Sequence, residues 1–222
     1  MQDTPKKVAV IGLGSFGSSL AIELVKQGAE VMAIDSREEL VENIKNEVNN
    51  AICFDCTNEA LLMAHGVTKL DLVVIAIGED FGSTVTITAI LKQKKVTVYS
   101  RASSDLQETI LNALSADRVF RPEHEQGITR AREITYTGVQ EYLRLRSNME
   151  LIVTEPKRSM LGKAVTELDI RRNYGINIAF IGKKEEDGSY DYRIPRPDDT
   201  LQEGDKLWLI GSSKNIKIFR ER

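Results

Sequence analysis

Apolar positions along the first 120 residues fall into two alternating rhythms. Short, β-branched apolar runs at 7–11, 30–34, 50–54, 71–77, 96–100 and 118–120 predict six strands. Between them lie stretches with apolar residues at helical spacing. The first, 15–27, carries Phe16, Leu20, Ile22, Leu24 and Val25 and stops at Gly28. Others cover 37–45, 58–65 with Gly66 as its stop, 81–93 and 105–114. The run at 71–77 shows no polar alternation, as a central parallel strand covered on both faces requires. Strands alternating with helices at this spacing predict an α/β fold with a Rossmann-like, doubly wound parallel sheet.

Beyond Pro122 the rhythm changes. Ile128, Ala131, Ile134, Val139, Tyr142, Leu143 and Leu145 are spaced as an apolar stripe, which predicts a crossover helix to about residue 146, bent near Thr137-Gly138. After Asn148 the pattern predicts strands at 151–153, 176–181, 190–194 and 206–210, a short helix at 161–168 and a closing helix at 212–220. Pro195 and Pro197 mark a loop. The expected division is a nucleotide-binding domain at 1–146 and a small α+β domain at 147–222. A unit of about 75 residues is marginal alone and is expected to bury surface against a twin or against the first domain.

Composition narrows the function. A net charge of −3 with no basic stripe argues against a nucleic-acid partner. No apolar run approaches the roughly 20 residues that cross a bilayer, and the first seven residues lack the apolar core of a secretory signal. Work at a membrane would go through a partner. Cys53 and Cys56 form one C-x-x-C, too few ligands for a zinc site. A redox pair is conceivable ahead of Thr57-Asn58, but the favoured expectation is a small core residue at Cys53 and a turn residue at Cys56, with reduced thiols suiting a cytosolic setting.

The informative motif is Gly12-Leu13-Gly14-Ser15-Phe16-Gly17, which follows a strand, opens a helix and is answered by Asp35 at the end of the next strand. Each piece has a physical task. Gly12 permits a tight turn, Gly14 keeps a side chain out of the path of a diphosphate, and Gly17 lets helix and strand pack closely. The helix N-terminus offers unpaired N–H groups to phosphate. Asp35 would accept from ribose hydroxyls and repel a 2′-phosphate. The competing explanation is a glycine turn that binds nothing. Around this core, Asp55 suits either an adenine or ribose edge or a helix-capping turn, and Ala76-Ile77-Gly78 either a ribose floor or a plain glycine turn. Arg101 suits either a phosphate contact or an ordinary solvated cation. A dehydrogenase would need an acid–base residue near a nicotinamide. The chain has two histidines, His65 at a helix end and His124 after the sheet, so an NAD-dependent oxidoreductase resting on His124 is the alternative.

The stretch Val8 to Gly17, Asp35, the strand from Asp71 to Gly78, Ala116 to Glu123, and Arg171-Arg172-Asn173-Tyr174-Gly175 together resemble the RCK proteins of the TrkA/KtrA type. These are cytosolic regulatory subunits of potassium channels and transporters, with an RCK-N domain followed by an RCK-C domain. The resemblance covers nearly the whole chain. It implies a non-enzymatic regulator, peripheral on the inner membrane face, built as a homo-oligomeric ring, commonly an octamer, beneath a potassium transporter and responding to ATP/ADP or NAD(H). It implies that the glycine loop, Asp35 and Glu123 serve the nucleotide; with the positions read above, the candidate site is Gly12, Gly14, Ser15, Phe16, Gly17, Asp35, Ser36, Asp55, Cys56, Ala76, Ile77, Gly78, Arg101 and Glu123. Glu123 would lie near the phosphates of a neighbouring subunit, with magnesium or another divalent cation. A second ligand, cyclic di-AMP, would meet Ile170, Arg171, Tyr174, Ile176 and Asn177. One departure stands out. Relatives often carry a basic residue between the second and third glycines, where this chain has Ser15. The missing charge-assisted contact is worth about 1.5–3 kcal/mol, which favours ADP, AMP or NAD(H) over ATP.

Overall fold

Strand β1 (Lys7–Ile11) is buried on both faces and organises everything around it. Val8 and Val10 point to one side of the sheet and Ala9 and Ile11 to the other, each pair entering a separate apolar layer. β4 (Leu72–Ile75) divides in the same way, Leu72 and Val74 against Val73 and Ile75. That two-sided burial accounts for the unbroken apolar run in the sequence. The computed structural model describes residues 7–135, 139–145, 148–185 and 187–221. It divides the chain into two compact units, residues 1–125 and 126–222. Among the described residues no helix is long and apolar enough to cross a membrane.

The first unit follows the predicted order. β2 (Glu30–Asp35), β3 (Asn50–Cys53), β5 (Val98–Arg101) and β6 (Arg118–Phe120) join β1 and β4 in an all-parallel sheet ordered β3-β2-β1-β4-β5-β6. Helices α1 (Ser15–Lys26), α2 (Glu38–Ile44), α3 (Glu59–Ala64), α4 (Phe81–Gln93) and α5 (Asp105–Ala113) connect the strands. The chain leaves β1 for β2 on one side and returns to β4 on the other. The C-terminal ends of β1 and β4 therefore flank a crevice, the usual ligand position in an open α/β sheet. Side chains start several of the helices. Asn58 caps α3 through the amides of Ala60 and Leu61, Asp80 caps α4 through Ser83, and Ser104 caps α5 through Gln107.

Helix α6 (Pro122–Thr135) carries the chain out of the first unit. The expectation of helix to residue 146 fails here: β7 (Val139–Arg144) is a strand, paired antiparallel with β8 (Met149–Thr154). The apolar spacing in this stretch fits either period, and the ladder to β8 decides between them. The bend expected at Thr137-Gly138 lies outside the described residues. β9 (Asn177–Lys184), β10 (Tyr190–Arg193) and β11 (Lys206–Ser212) complete a five-stranded antiparallel sheet ordered β10-β9-β11-β8-β7. Ile152, Ile181, Leu207 and Leu209 meet Ile216 and Phe219 of α9 (Ser213–Glu221) in its core. The helix expected at 161–168 is helical only as α7 (Val165–Leu168), after a 3-10 turn at Arg158–Met160. A further short helix, α8 (Ile170–Tyr174), ends at Gly175 with φ +66°.

At the edge of the parallel sheet, Asp117 Oδ2 accepts from Lys92 Nζ at 2.6 Å and from the Val98 amide at 2.7 Å, tying α4, β5 and β6 together. Desolvation opposes ionisation of Asp117, but the bonds from Lys92 and the Val98 amide outweigh it and hold its carboxyl below the usual carboxylate range. A depressed folded-state pKa contributes stability above the unfolded value, and that contribution is lost as pH falls through the folded value. Urea titrations of Asp117→Asn are therefore expected to show lower stability than wild type near neutrality. The gap should begin to narrow below about pH 4, the unfolded value, and close as pH falls through the lower folded value, below which both chains carry a neutral side chain. A gap that held constant down to acid pH would show that the carboxylate's charge is not what matters.

Candidate functional site

A cleft of about 940 Å³ opens over the C-terminal ends of β1 and β4. Its floor is the turn from β1 into α1. Gly12 sits at φ +92°, and a Cβ there would come within 2.9 Å of the Ile77 amide nitrogen and side chain. A Cβ on Gly17 would lie 1.8 Å from the Gly12 carbonyl oxygen, so α1 can pack this closely only because residue 17 has no side chain. Gly14 differs. It has ordinary dihedrals as the N-cap of α1, offers no side-chain cap, and has no heavy atom within 4 Å of an added Cβ. The space a side chain would fill there is the cleft itself. The first-turn amides of α1 have no intrahelical acceptor and lie at the floor of the cleft.

Asp35 locks this floor in place. Its side chain is only 7% exposed, and Oδ2 accepts the Leu13 amide at 2.7 Å across the sheet. Oδ1 accepts the Arg37 amide at 2.9 Å and Arg37 Nε at 3.3 Å. The sequence marks Asp35 as an acceptor for a ligand. The structure adds that it positions the glycine turn.

The opposite wall carries Arg101, at the end of β5. Its guanidinium ion-pairs with Glu123, lies 5.9 Å from the Phe16 ring centroid and donates from Nη1 to the Ala76 carbonyl at 3.5 Å. A Cβ on Gly78 would meet Nη1 at 2.6 Å, so Gly78 makes room for the arginine. Arg101 is therefore not a solvated surface cation: its side chain is 17% exposed and its buried Nε has no hydrogen-bond partner among the described residues. An opening kept clear at Gly14 and a buried cation with an unsatisfied donor both fit an anionic, phosphate-bearing group.

The expected site residues gather well. Gly12, Gly14, Ser15, Phe16, Asp35 and Ser36 line the cleft from the β1 and β2 sides. Asp55 and Cys56 line it from the end of β3, Ala76, Ile77 and Gly78 from the end of β4, and Arg101 and Glu123 from the far wall. Gly17 supports the floor without lining it. Asp55 also makes the capping turn, accepting from Thr57 N at 2.9 Å and Thr57 Oγ1 at 2.7 Å. The cysteines reverse the expected burial: Cys53 is exposed on β3 and Cys56 is buried. Burial, reinforced by Asp55 and Asp35, pushes the Cys56 thiol up to about 12, which leaves it a poor thiolate. Arg37, Leu40, Asn43, Asp80 and Ser83 line the cleft without having been expected there. Asp80 is the N-cap of α4. Hydrogen bonds from the Ser83 side chain and amide hold its carboxyl below the ordinary range.

Other expectations disperse. His124 is exposed on the first turn of α6 and outside the cleft lining, and His65 stacks on Phe54 at 4.6 Å. Glu123 is paired with Arg101, and among the described residues no three metal-ligating side chains come together. In the second unit Ile170 and Ile176 are taken up by the core, and Tyr174 stands edge-on to Phe219 at 5.2 Å. Arg171 and Asn177 are exposed.

Comparison with known proteins agrees with this architecture. The TrkA-N domain model matches residues 8–122 and the TrkA-C domain model residues 148–222. The chain is 34% identical over 218 residues to the Ktr system potassium uptake protein C of Bacillus subtilis, covering 98% of this chain and 97% of that one. It is 30% identical to the Ktr system potassium uptake protein A of the same organism, covering 96% and 95%. Among solved structures, the GsuK channel bound to NAD superimposes with a TM-score of 0.62 at 14% identity, covering 97% of this chain. The chain spans 39% of that channel's length, and at this identity the likeness is one of fold.

Two glycines separate the roles of the floor. Gly14→Val is expected to fold with a melting temperature near wild type but to lose adenine-nucleotide binding in calorimetry, because its side chain enters the cleft. Gly17→Ala is expected to lower stability by about 1–3 kcal/mol, as overpacking does, because its Cβ meets the Gly12 carbonyl. Unimpaired binding by Gly14→Val would remove the glycine turn from the site.

Proposed function

Because the chain belongs to the family whose members join a TrkA-N domain to a TrkA-C domain, we propose that it is a cytoplasmic, nucleotide-binding regulatory subunit of a membrane potassium uptake system. The observation that carries this is the phosphate-compatible cleft, set in a chain similar to potassium uptake proteins along 98% of its length. The ligand class is an adenine nucleotide, ATP/ADP or NAD(H). The same fold is found bound to NAD and to ADP in the GsuK channel. The subunit works as a homo-oligomeric ring on the inner face of the membrane, against a transporter subunit that holds the conduction path.

The switch follows from the Arg101–Glu123 pair. Glu123 stands in the first turn of α6, the helix by which the chain leaves the first unit. A bound nucleotide supplies negative charge beside the α1 N-terminus. Arg101 then faces two acceptors, a phosphate oxygen and Glu123, and Glu123 faces a like charge. Each added phosphate biases α6 toward the arrangement in which the pair is loosened. Only the difference in ligand affinity between the two arrangements can shift their populations. Arg101 also supplies from β5 the positive charge that Ser15 does not supply from the loop. No observation in the cleft favours an oxidoreductase, since neither histidine lies on its walls.

Two measurements test this. Tagged protein is expected to co-purify with a potassium transporter from detergent-solubilised membranes of its own cell, and deleting its gene to lower potassium uptake at limiting external potassium. Normal uptake without the gene would sink the regulatory assignment. For the switch, magnesium-free calorimetry is expected to show ADP binding weakened about 10–100-fold by Arg101→Ala, the range for a lost charge-assisted contact. Glu123→Gln is expected to strengthen it. Equal ADP affinity in all three proteins would remove the pair from the mechanism.

A further inference from the structure

Arg37 bears on which adenine nucleotide the cleft takes, an inference that rests on the cleft being a nucleotide site. An acid at the end of the second strand ordinarily excludes a 2′-phosphate by charge repulsion. Here that acid is already occupied from both sides. Asp35 Oδ2 holds the Leu13 amide, and Oδ1 holds both the Arg37 amide and Arg37 Nε. Arg37 thus places a full positive charge against the carboxylate at 3.3 Å.

The way Arg37 is held matters more than its presence. Nε is its anchor, and its two Nη groups have no hydrogen-bond partner among the described residues. The side chain is 65% exposed and lines the cleft beside Ser36 and Asn43. A guanidinium fixed at Nε with both terminal nitrogens free is the fork that matches two oxygens of one phosphate. In this fold an arginine beside the ribose acid is the group that accommodates a 2′-phosphate. The nearest other acids on the same helix, Glu38 and Glu39, stand outside the cleft lining.

We propose that Arg37 is the specificity-determining residue for the adenosine ribose, and that through it the cleft accepts 2′-phosphorylated adenine nucleotides alongside unphosphorylated ones. Asp35 holds the glycine turn while Arg37 cancels its repulsion and offers the phosphate two donors. The chemistry recognised is a phosphate monoester on the ribose 2′-oxygen, as in a phosphorylated nicotinamide dinucleotide. The 3′-phosphate of a coenzyme A type of ligand is the related source to be distinguished.

The test is calorimetric titration of the full-length protein with AMP, adenosine 2′,5′-bisphosphate and adenosine 3′,5′-bisphosphate. The last two carry the same charge and differ only in where the second phosphate sits. For wild type, the 2′,5′-bisphosphate is expected to bind within about tenfold of AMP and more tightly than the 3′,5′ isomer. Arg37→Ala is expected to weaken the 2′,5′-bisphosphate about 10–100-fold, the loss of a charge-assisted pair, while AMP changes by less than about threefold. Arg37→Lys, which keeps the charge without the fork, should fall between. Two results would overturn the proposal while leaving the nucleotide site intact: wild type binding AMP but rejecting the 2′,5′-bisphosphate, or Arg37→Ala weakening both ligands alike. Failure of wild type to bind any of the three would overturn both.

Discussion

The close approach of α1 to the end of β1 is the constraint from which the rest of the first unit follows. With only hydrogen at residue 17, the helix packs so near that a Cβ would stand 1.8 Å from the Gly12 carbonyl. Helix and strand can then be joined by a turn of three residues, and the N-terminus of α1 faces the crossover between β1 and β4. Were α1 forced away, its first-turn amides would no longer face the cleft and the Leu13 amide would leave Asp35. The hydrogen bond from Leu13 N–H to Asp35 joins the turn to β2 across 22 residues of sequence. A buried carboxylate is costly unless fully bonded; the turn bonds Oδ2 and Arg37 bonds Oδ1. Turn and acid thus stabilise each other, which gives the glycines and the aspartate a structural reason to occur together, apart from any ligand.

This mutual dependence also explains which parts of the molecule were legible in the sequence. The six parallel strands, their order of appearance and the helices between them are local patterns, and β1 to β6 emerge within a few residues of expectation. The cleft residues named from the glycine motif and from strand ends converge because parallel strands place all their C-terminal ends on one side. Less legible were features decided by partners distant in sequence. Arg101 reads as an ordinary cation until Phe16, Gly78 and Glu123 are brought around it. Cys53 and Cys56 carry no local sign of which will be buried: Cys53 faces outward at the end of an edge strand, and Cys56, beyond that strand, is drawn into the core. Arg37 stands two residues after Asp35, yet nothing in Asp35-Ser36-Arg37 shows its guanidinium folding back onto Oδ1.

The second unit was harder to read for a different reason. Its antiparallel ladder runs β10-β9-β11-β8-β7, so β11, late in the chain, lies between β8 and β9. β7 is drawn into the sheet by β8, and its own apolar spacing does not select strand over helix. Ile170, Tyr174 and Ile176, attractive as a ligand-binding stretch from family resemblance, lie where a small domain needs bulk. Ile170 and Ile176 fill its one apolar core, and Tyr174 packs against Phe219. In a unit this small each such residue is a large share of the buried surface. Packing alone therefore accounts for these three, and only the exposed Arg171 and Asn177 are left with side chains that packing does not explain.

Charge in the cleft has a consequence for how a regulator would use it. Asp35, Asp55, Glu79, Asp80 and Glu123 line the walls, against Arg37 and Arg101 as the lining cations. Each arginine is already engaged with an acid of the same chain, Arg37 with Asp35 and Arg101 with Glu123. An anionic ligand therefore meets positive charge that is already partly neutralised: Arg37 keeps its two Nη donors open, and the Arg101 guanidinium shares its charge with Glu123. Each built-in carboxylate lowers affinity below what two unpaired arginines and a helix N-terminus would give. That reduction is useful to a sensor, because a ligand held too tightly would not exchange as cellular nucleotide ratios change. It also converts binding into rearrangement. Asp35 is buried and anchored by the Leu13 amide, whereas Glu123 is exposed at the start of a helix and held by Arg101. In the proposed regulator, Arg37 would bear on which ligand is held and the Arg101–Glu123 pair on how α6 responds, so recognition and response would fall to opposite ends of one cleft.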